Sequence, residues 1–140
     1  MKKRVLFLCT HNSARSQMAE GLLRDMAGDR FDVFSAGTEE TRVHPLAIEA
    51  MRESGIDIGS QRSKTLDGFS GQQFDYVITV CDRANESCPI FPGSTERIHW
   101  SFDDPSAATG TDEQRLHMFR EIRDAIQGRL RLFQSVTARK

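Results

Sequence analysis

The run Cys9-Thr10-His11-Asn12-Ser13-Ala14-Arg15-Ser16 sets a thiol and a guanidinium with five residues between them. Cys-x5-Arg alone is a weak pattern, and its position gives it weight. The apolar residues 4–9 precede it, and a helical stripe of Met18, Leu22, Leu23 and Met26 follows it. A loop between a strand and a helix can turn successive backbone N–H groups toward a tetrahedral oxyanion, with the positive end of the helix dipole behind them. Thr10, His11, Asn12, Ser13, Ala14, Arg15 and Ser16 are therefore candidate oxyanion-binding residues, with Arg15 offering a planar fork to two anion oxygens. The same field is expected to lower the pKa of Cys9 and hold it as a nucleophilic thiolate. Asn12 is a candidate brace for the loop, and the Ser16 hydroxyl a candidate donor to the sulfur. The plain alternative is an apolar cysteine ending a strand, followed by a solvated arginine.

Two further groups are candidates. Asp103-Asp104-Pro105 is by itself an ordinary Asp-Pro turn. If its loop reaches the cradle, an aspartate there can protonate a departing oxygen as general acid. Cys81 and Cys88 are separated by six residues. A structural disulfide between them makes little sense in a reducing compartment. The spacing does not suit a close-paired zinc site, no histidine pair completes one, and no metal is expected. Two more thiols beside a nucleophilic one suggest thiol–disulfide exchange, although buried small hydrophobes is the plainer reading of three scattered cysteines. Neither Gly-x-Gly-x-x-Gly nor Gly-x4-Gly-Lys-Ser/Thr occurs, so no nucleotide cofactor is expected.

The elements that must position these residues follow from periodicity. Residues 4–9 read as a buried strand, and the helix after the loop ends near Gly28. Residues 32–35 read as a second strand, and Pro45 as the first turn of a helix carrying Leu46, Ala50 and Met51. Residues 57–73 read as a connection with a short helix, residues 74–80 as the clearest strand, and residues 97–100 as a weaker one. Leu116, Phe119, Ile122, Ile126, Leu130 and Phe133 mark a long C-terminal helix that Thr111 can cap. Strands alternating with helices imply a parallel sheet covered on both faces. Ligands of such sheets sit at the carboxyl ends of the strands, where Cys9, Cys81 and the 101–110 loop should meet.

Composition sets the bounds. The 140 residues suit one domain, 1–140, and 19 Lys+Arg against 20 Asp+Glu leave a net charge of −1. That balance gives no general attraction to nucleic acid or anionic lipid. No apolar run nears the roughly 18 residues of a membrane span. Lys2-Lys3-Arg4 before an apolar run resembles a signal peptide only until Cys9, so a cytoplasmic protein is expected. The odd number of cysteines also argues against a secreted disulfide framework.

The residues together resemble the thioredoxin-coupled arsenate reductases, a branch built on the low-molecular-weight tyrosine phosphatase fold. The resemblance runs through Cys9 to Ser16, Gln17-Met-Ala-Glu-Gly21, Ser35-Ala-Gly37, Gly55-Ile-Asp57, Val80-Cys81, Cys88-Pro89 and His99-Trp-x-Phe-Asp-Asp-Pro105. It implies an α/β fold of three layers, a four-stranded parallel sheet with helices on both faces. It also implies a mechanism: Cys9 attacks arsenate held by the loop and Arg15, while Asp104 protonates the departing hydroxyl. Cys81 then attacks the adduct to release arsenite, and Cys88 takes over the disulfide, which thioredoxin reduces. The segment 81–92 is then expected to refold between redox states. Arsenate or phosphate and thioredoxin are the implied partners of a monomer.

Two departures matter. Position 14 is Ala where some relatives carry another loop cysteine. Some members bind potassium through residues matching Asn12, Glu20, Ser35 and an aspartate, and here the fourth position falls on Lys64, whose ammonium is expected to contact Glu20 in the cation's place. The alternative function is a phosphatase acting on aryl phosphates, which needs only Cys9, Arg15 and Asp104. Against it, Ser106-Ala107-Ala108 follows the Asp-Pro where such phosphatases usually carry aromatic residues. A non-catalytic thiol module binding arsenite or zinc is the remaining alternative.

Overall fold

The computed structural model describes residues 2–69, 71–81 and 95–138. Four strands, β1 (Lys3–Cys9), β2 (Phe31–Gly37), β3 (Tyr76–Thr79) and β4 (Glu96–His99), form one parallel sheet in the order β2-β1-β3-β4. Among the described residues three α-helices accompany them: α1 (Arg15–Ala27), α2 (Pro45–Glu53) and α3 (Asp112–Thr137). Short 3-10 turns lie at Leu66–Phe69 and Pro105–Ala107. The strands expected at 32–35 and 74–80 are longer and shorter than expected. β2 runs on to Gly37, where Thr65 bridges its end, while β3 starts only at Tyr76 because Asp75 turns its carboxylate to the Arg4 N–H.

The register sorts the side chains. Val5, Phe7, Phe31, Val33 and Tyr76 share one face, since paired residues of parallel strands point the same way. Phe133 of α3 packs on Phe31 and Tyr76 there, with Trp100 against Phe7 and Phe133. The opposite face shows Leu6, Leu8 and Phe34, and Phe34 meets Phe69 and Phe74 edge-on below the Leu66–Phe69 turn. Arg4 lies over the Phe34 and Phe74 rings, a cation–π contact closing this layer. β1 is covered on both faces, which is why it reads as an unbroken apolar run.

The helix signals hold with one exception. Thr111 caps α3 in a reciprocal capping box with Gln114, and the Leu116-to-Phe133 stripe is buried. α1, by contrast, begins after Ala14 with no side-chain cap. The polar residues of the loop before it bond elsewhere, as the site shows. No helix among the described residues is long and apolar enough to cross a membrane.

Candidate oxyanion and thiol site

β1 ends at Cys9 and α1 begins at Arg15, so the loop between them opens at the carboxyl end of the sheet. Its shape depends on Asn12, which has φ 48°, a left-handed conformation uncommon outside glycine. Buried partners hold it there. Asn12 Nδ2 donates to Ser16 Oγ at 2.9 Å and Ser35 Oγ at 3.0 Å, while Oδ1 accepts from the Lys64 backbone N–H at 2.8 Å and from Gln17 Nε2 at 2.9 Å. Ser16 Oγ is thus an acceptor for Asn12. Gly37 lets the strand pass close behind: a Cβ there would sit 2.7 Å from Thr10 O and 2.8 Å from Asn12 N.

The outer edge of the loop is tied down through its carbonyls. Thr10 O accepts from Glu39 N–H, His11 O from the Thr41 and Ser63 hydroxyls, and Ser13 O from His44 N–H. With carbonyls so engaged, and with no side chain capping α1, the first-turn N–H groups are left for an anion. The His11 side chain points outward to Glu39, 3.1 Å away, so the loop uses its backbone.

The expected convergence of Cys9, Cys81 and the 101–110 loop is present. Arg15 Nη1 donates to Phe102 O at 2.9 Å, and Nη2 lies 3.7 Å from Asp104 Oδ2. The other Asp104 oxygen accepts from the Ser106 N–H at 3.0 Å and hydroxyl at 2.7 Å. Burial works to raise the Asp104 carboxyl. The Ser106 hydrogen bonds and the Arg15 and His11 charges outweigh it and hold the carboxyl below its ordinary value. Cys9 and Cys81 are buried free thiols in side-chain hydrogen-bond contact, and Thr10 Oγ1 lies 3.3 Å from Cys81 Sγ. Cys88, the third expected thiol, lies outside the described residues.

The resting state of Cys9 corrects the expectation of a lowered pKa. The hydrogen bond with Cys81 and then burial push the Cys9 thiol above its ordinary value, against the pull of Arg15 and the Thr10 backbone N–H. The loop's field is real, but the hydrogen bond with Cys81, burial, and the negative charge that Cys81 can carry beside it favour the protonated sulfur more strongly.

A scan against family models matches residues 4–140 to the low molecular weight phosphotyrosine protein phosphatase family. The chain belongs to that family. Within it, the chain is 50% identical over 132 residues to an arsenate reductase of Halalkalibacterium halodurans, covering 94% of this chain and 95% of that one. Among solved structures, an arsenate reductase in the phosphate-binding state superposes with a TM-score of 0.76 at 35% identity, covering 96% of this chain and 98% of that one. The thioredoxin-dependent arsenate reductase of Corynebacterium glutamicum gives a TM-score of 0.78 at 31% identity, over 99% of this chain and 64% of that longer one.

For a phosphatase-family protein the potassium question has a local answer. The buried Glu20 carboxylate accepts from Arg24 Nη2 at 2.8 Å and from the Ser35 hydroxyl, and Lys64 Nζ lies 3.7 Å from its second oxygen. Two cations already serve one carboxylate, so these residues do not suit a metal cation. Burial lowers the Lys64 pKa, and Glu20 works against that shift.

The sequence reading missed several supports of this phosphatase-family loop. Gln17 is fully buried and binds Asn12 O, Asn12 Oδ1 and Arg62 O through one amide nitrogen. A glutamine inside an otherwise apolar helical stripe was the available signal. The Phe102 carbonyl and the Ser63 hydroxyl carry no such signal, because their role comes from where distant chain passes.

Proposed function

We propose that this protein reduces arsenate to arsenite through a relay of three thiols that thioredoxin resets. One observation carries the reading: Cys81 sits at the mouth of the anion loop, hydrogen-bonded to the nucleophile Cys9. Phosphate ester hydrolysis has no use for a second thiol, whereas a two-electron reduction requires one. The loop, Arg15 and Asp104 supply what both chemistries share.

Arsenate enters as an oxyanion on the loop N–H groups and the Arg15 fork. Arg15 and the loop N–H groups offset its charge. The Cys9 thiol passes its proton to an arsenate oxygen, and its sulfur attacks arsenic as hydroxide leaves. Asp104 gives that hydroxide a proton, so water departs. Cys81 then attacks the Cys9 sulfur. The S–As electron pair stays on arsenic, which leaves as arsenite, and a Cys9–Cys81 disulfide forms. Cys88 attacks Cys81 and frees Cys9, and thioredoxin reduces the Cys81–Cys88 disulfide with two electrons. The thioredoxin dependence of the Corynebacterium glutamicum relative supports this donor.

The test is arsenate-dependent NADPH oxidation through thioredoxin and its reductase. Cys9→Ser is expected to abolish turnover, and Cys88→Ser to release about one arsenite per protein and then stop. Normal cycling by Cys88→Ser would overturn the relay. Hydrolysis of an aryl phosphate by Cys9, surviving in Cys81→Ser, is the expected side activity, because the loop distinguishes phosphate from arsenate weakly. Ser106-Ala107-Ala108 offers no ring to grip an aromatic substrate, so this activity is expected to be slow.

A further inference from the structure

His44 stands where four parts of the molecule converge. Its backbone N–H donates to Ser13 O of the anion loop at 2.9 Å. Its side chain caps α2, with Nδ1 accepting from the Leu46 N–H at 3.1 Å. Its ring packs on Phe119 of α3, centroids 4.7 Å apart and planes tilted 40°. Arg42 on its own loop, Arg115 on α3 and Asp104 in the turn carrying the general acid are the charges that act on it.

An imidazole accepts at Nδ1 only when that nitrogen carries no proton, so the cap exists only in the neutral ring with hydrogen on Nε2. Helix N-caps are usually Ser, Thr, Asp or Asn, whose acceptors do not change near neutral pH. Here the cap is a titratable group, and the same residue anchors Ser13. On protonation, Nδ1–H would face the Leu46 N–H, donor against donor. The ring must then turn away from Leu46 and from Phe119, and the backbone that holds Ser13 loses its fixed position.

We propose that His44 is a positioning residue for the anion loop, holding Ser13 in place while its ring is neutral and releasing it on protonation. The proposal rests on the reading of residues 10–16 as an oxyanion site. Burial, with Arg115 and Arg42, disfavours the charged ring, and Asp104 opposes them. A histidine held below its ordinary pKa contributes stability that is present above the unfolded value. That stability is lost as pH falls through the unfolded value toward the folded one. Oxyanion affinity should weaken lower down, as pH falls through the folded value and the ring itself takes up the proton. The other histidine at the loop, His11, turns its side chain outward to Glu39 and is common to both proteins compared below.

Sulfate is the probe, because it is a tetrahedral dianion whose charge is constant over this range, unlike arsenate or phosphate. Its Kd is measured calorimetrically between pH 7.5 and 5.0 on the whole protein and on His44→Asn, which keeps an acceptor for the Leu46 N–H but does not titrate. The wild type is expected to lose about five- to tenfold in affinity toward the acid end, a fold-change comparable to the loss of an N-cap. His44→Asn is expected to match the wild type at pH 7.5 and to hold its affinity within about twofold. Equal acid loss in both proteins, or flat or rising wild-type affinity, overturns the role of His44 and leaves the oxyanion site standing. Absence of sulfate binding by the wild type at pH 7.5 overturns the oxyanion reading, and the role of His44 with it.

Discussion

Cys81 Sγ lies 3.3 Å from the hydroxyl oxygen of Thr10, within the loop that begins at Cys9. A residue from the end of β3 is thereby fixed against the loop that follows β1, the two strands being neighbours in the sheet. The contact keeps the second thiol beside the first before any oxyanion arrives. In the same pocket the Cys9 pKa is held above its ordinary value, first by the hydrogen bond with Cys81 and then by burial.

That arrangement predicts a gain from a deletion. In a Cys88→Ser background, Cys81→Ala removes the largest influence raising the Cys9 pKa. More of Cys9 is then thiolate at a given pH, and its alkylation by iodoacetamide at pH 7 should quicken several-fold. Peptide mapping after timed quenching reads the rate at Cys9 alone. Slower or unchanged alkylation would show that Cys81 does not hold the proton on Cys9.

Arg15 is expected not to tolerate lysine. Its fork spans Phe102 O and the Asp104 carboxylate at rest and two anion oxygens with substrate bound, which an ammonium cannot do. Arg15→Lys should raise the KM for arsenate about ten- to a hundredfold. Steady-state kinetics in the coupled assay measures this, and a KM within twofold of wild type would contradict it.

Asp104→Asn should lower kcat by about a hundredfold or more with little change in sulfate affinity, because the amide cannot supply the proton. The sign of the pH dependence follows from the depressed carboxyl. In the free protein the acid form is lost as pH rises past a value below the usual carboxylate range. A dianion on Arg15 cancels one cause of that depression, so the descending limb set by Asp104 should lie at higher pH in kcat than in kcat/KM. Coincident limbs would mean that substrate does not shift Asp104.

Gly37→Ala tests the close passage behind the loop. Its Cβ would meet backbone atoms of Thr10 and Asn12 that cannot move without reshaping the cradle. A loss of about 1–3 kcal/mol is expected, visible as a lower Tm, together with weaker sulfate binding. Stability and affinity both equal to wild type would refute the passage as described.

Potassium and sodium chlorides should give the same Tm, because Arg24 and Lys64 already serve Glu20. Lys64→Gln, which removes one of those cations, should lower Tm in both salts. A Tm that rises with potassium alone would show a cation site that these residues do not suggest.

The sequence by itself determined the sheet order's raw material and the reacting groups. The apolar run of β1 called for burial on both faces, the 111–133 pattern for a capped helix, and a thiol and guanidinium flanking a strand–helix turn pointed to an anion. These are local facts, because periodicity and turn chemistry act over a few residues. The tertiary structure decided what depends on distant chain. Asn12 takes a positive φ because Ser35, Gln17 and Lys64 arrive around it. Phe102 lends Arg15 a carbonyl, and His44 ties Ser13 to α2. The Cys9 pKa was misjudged for the same reason: the loop's own charges lower it, but the neighbour that raises it lies 72 residues away in sequence, and only folding brings the two sulfurs together.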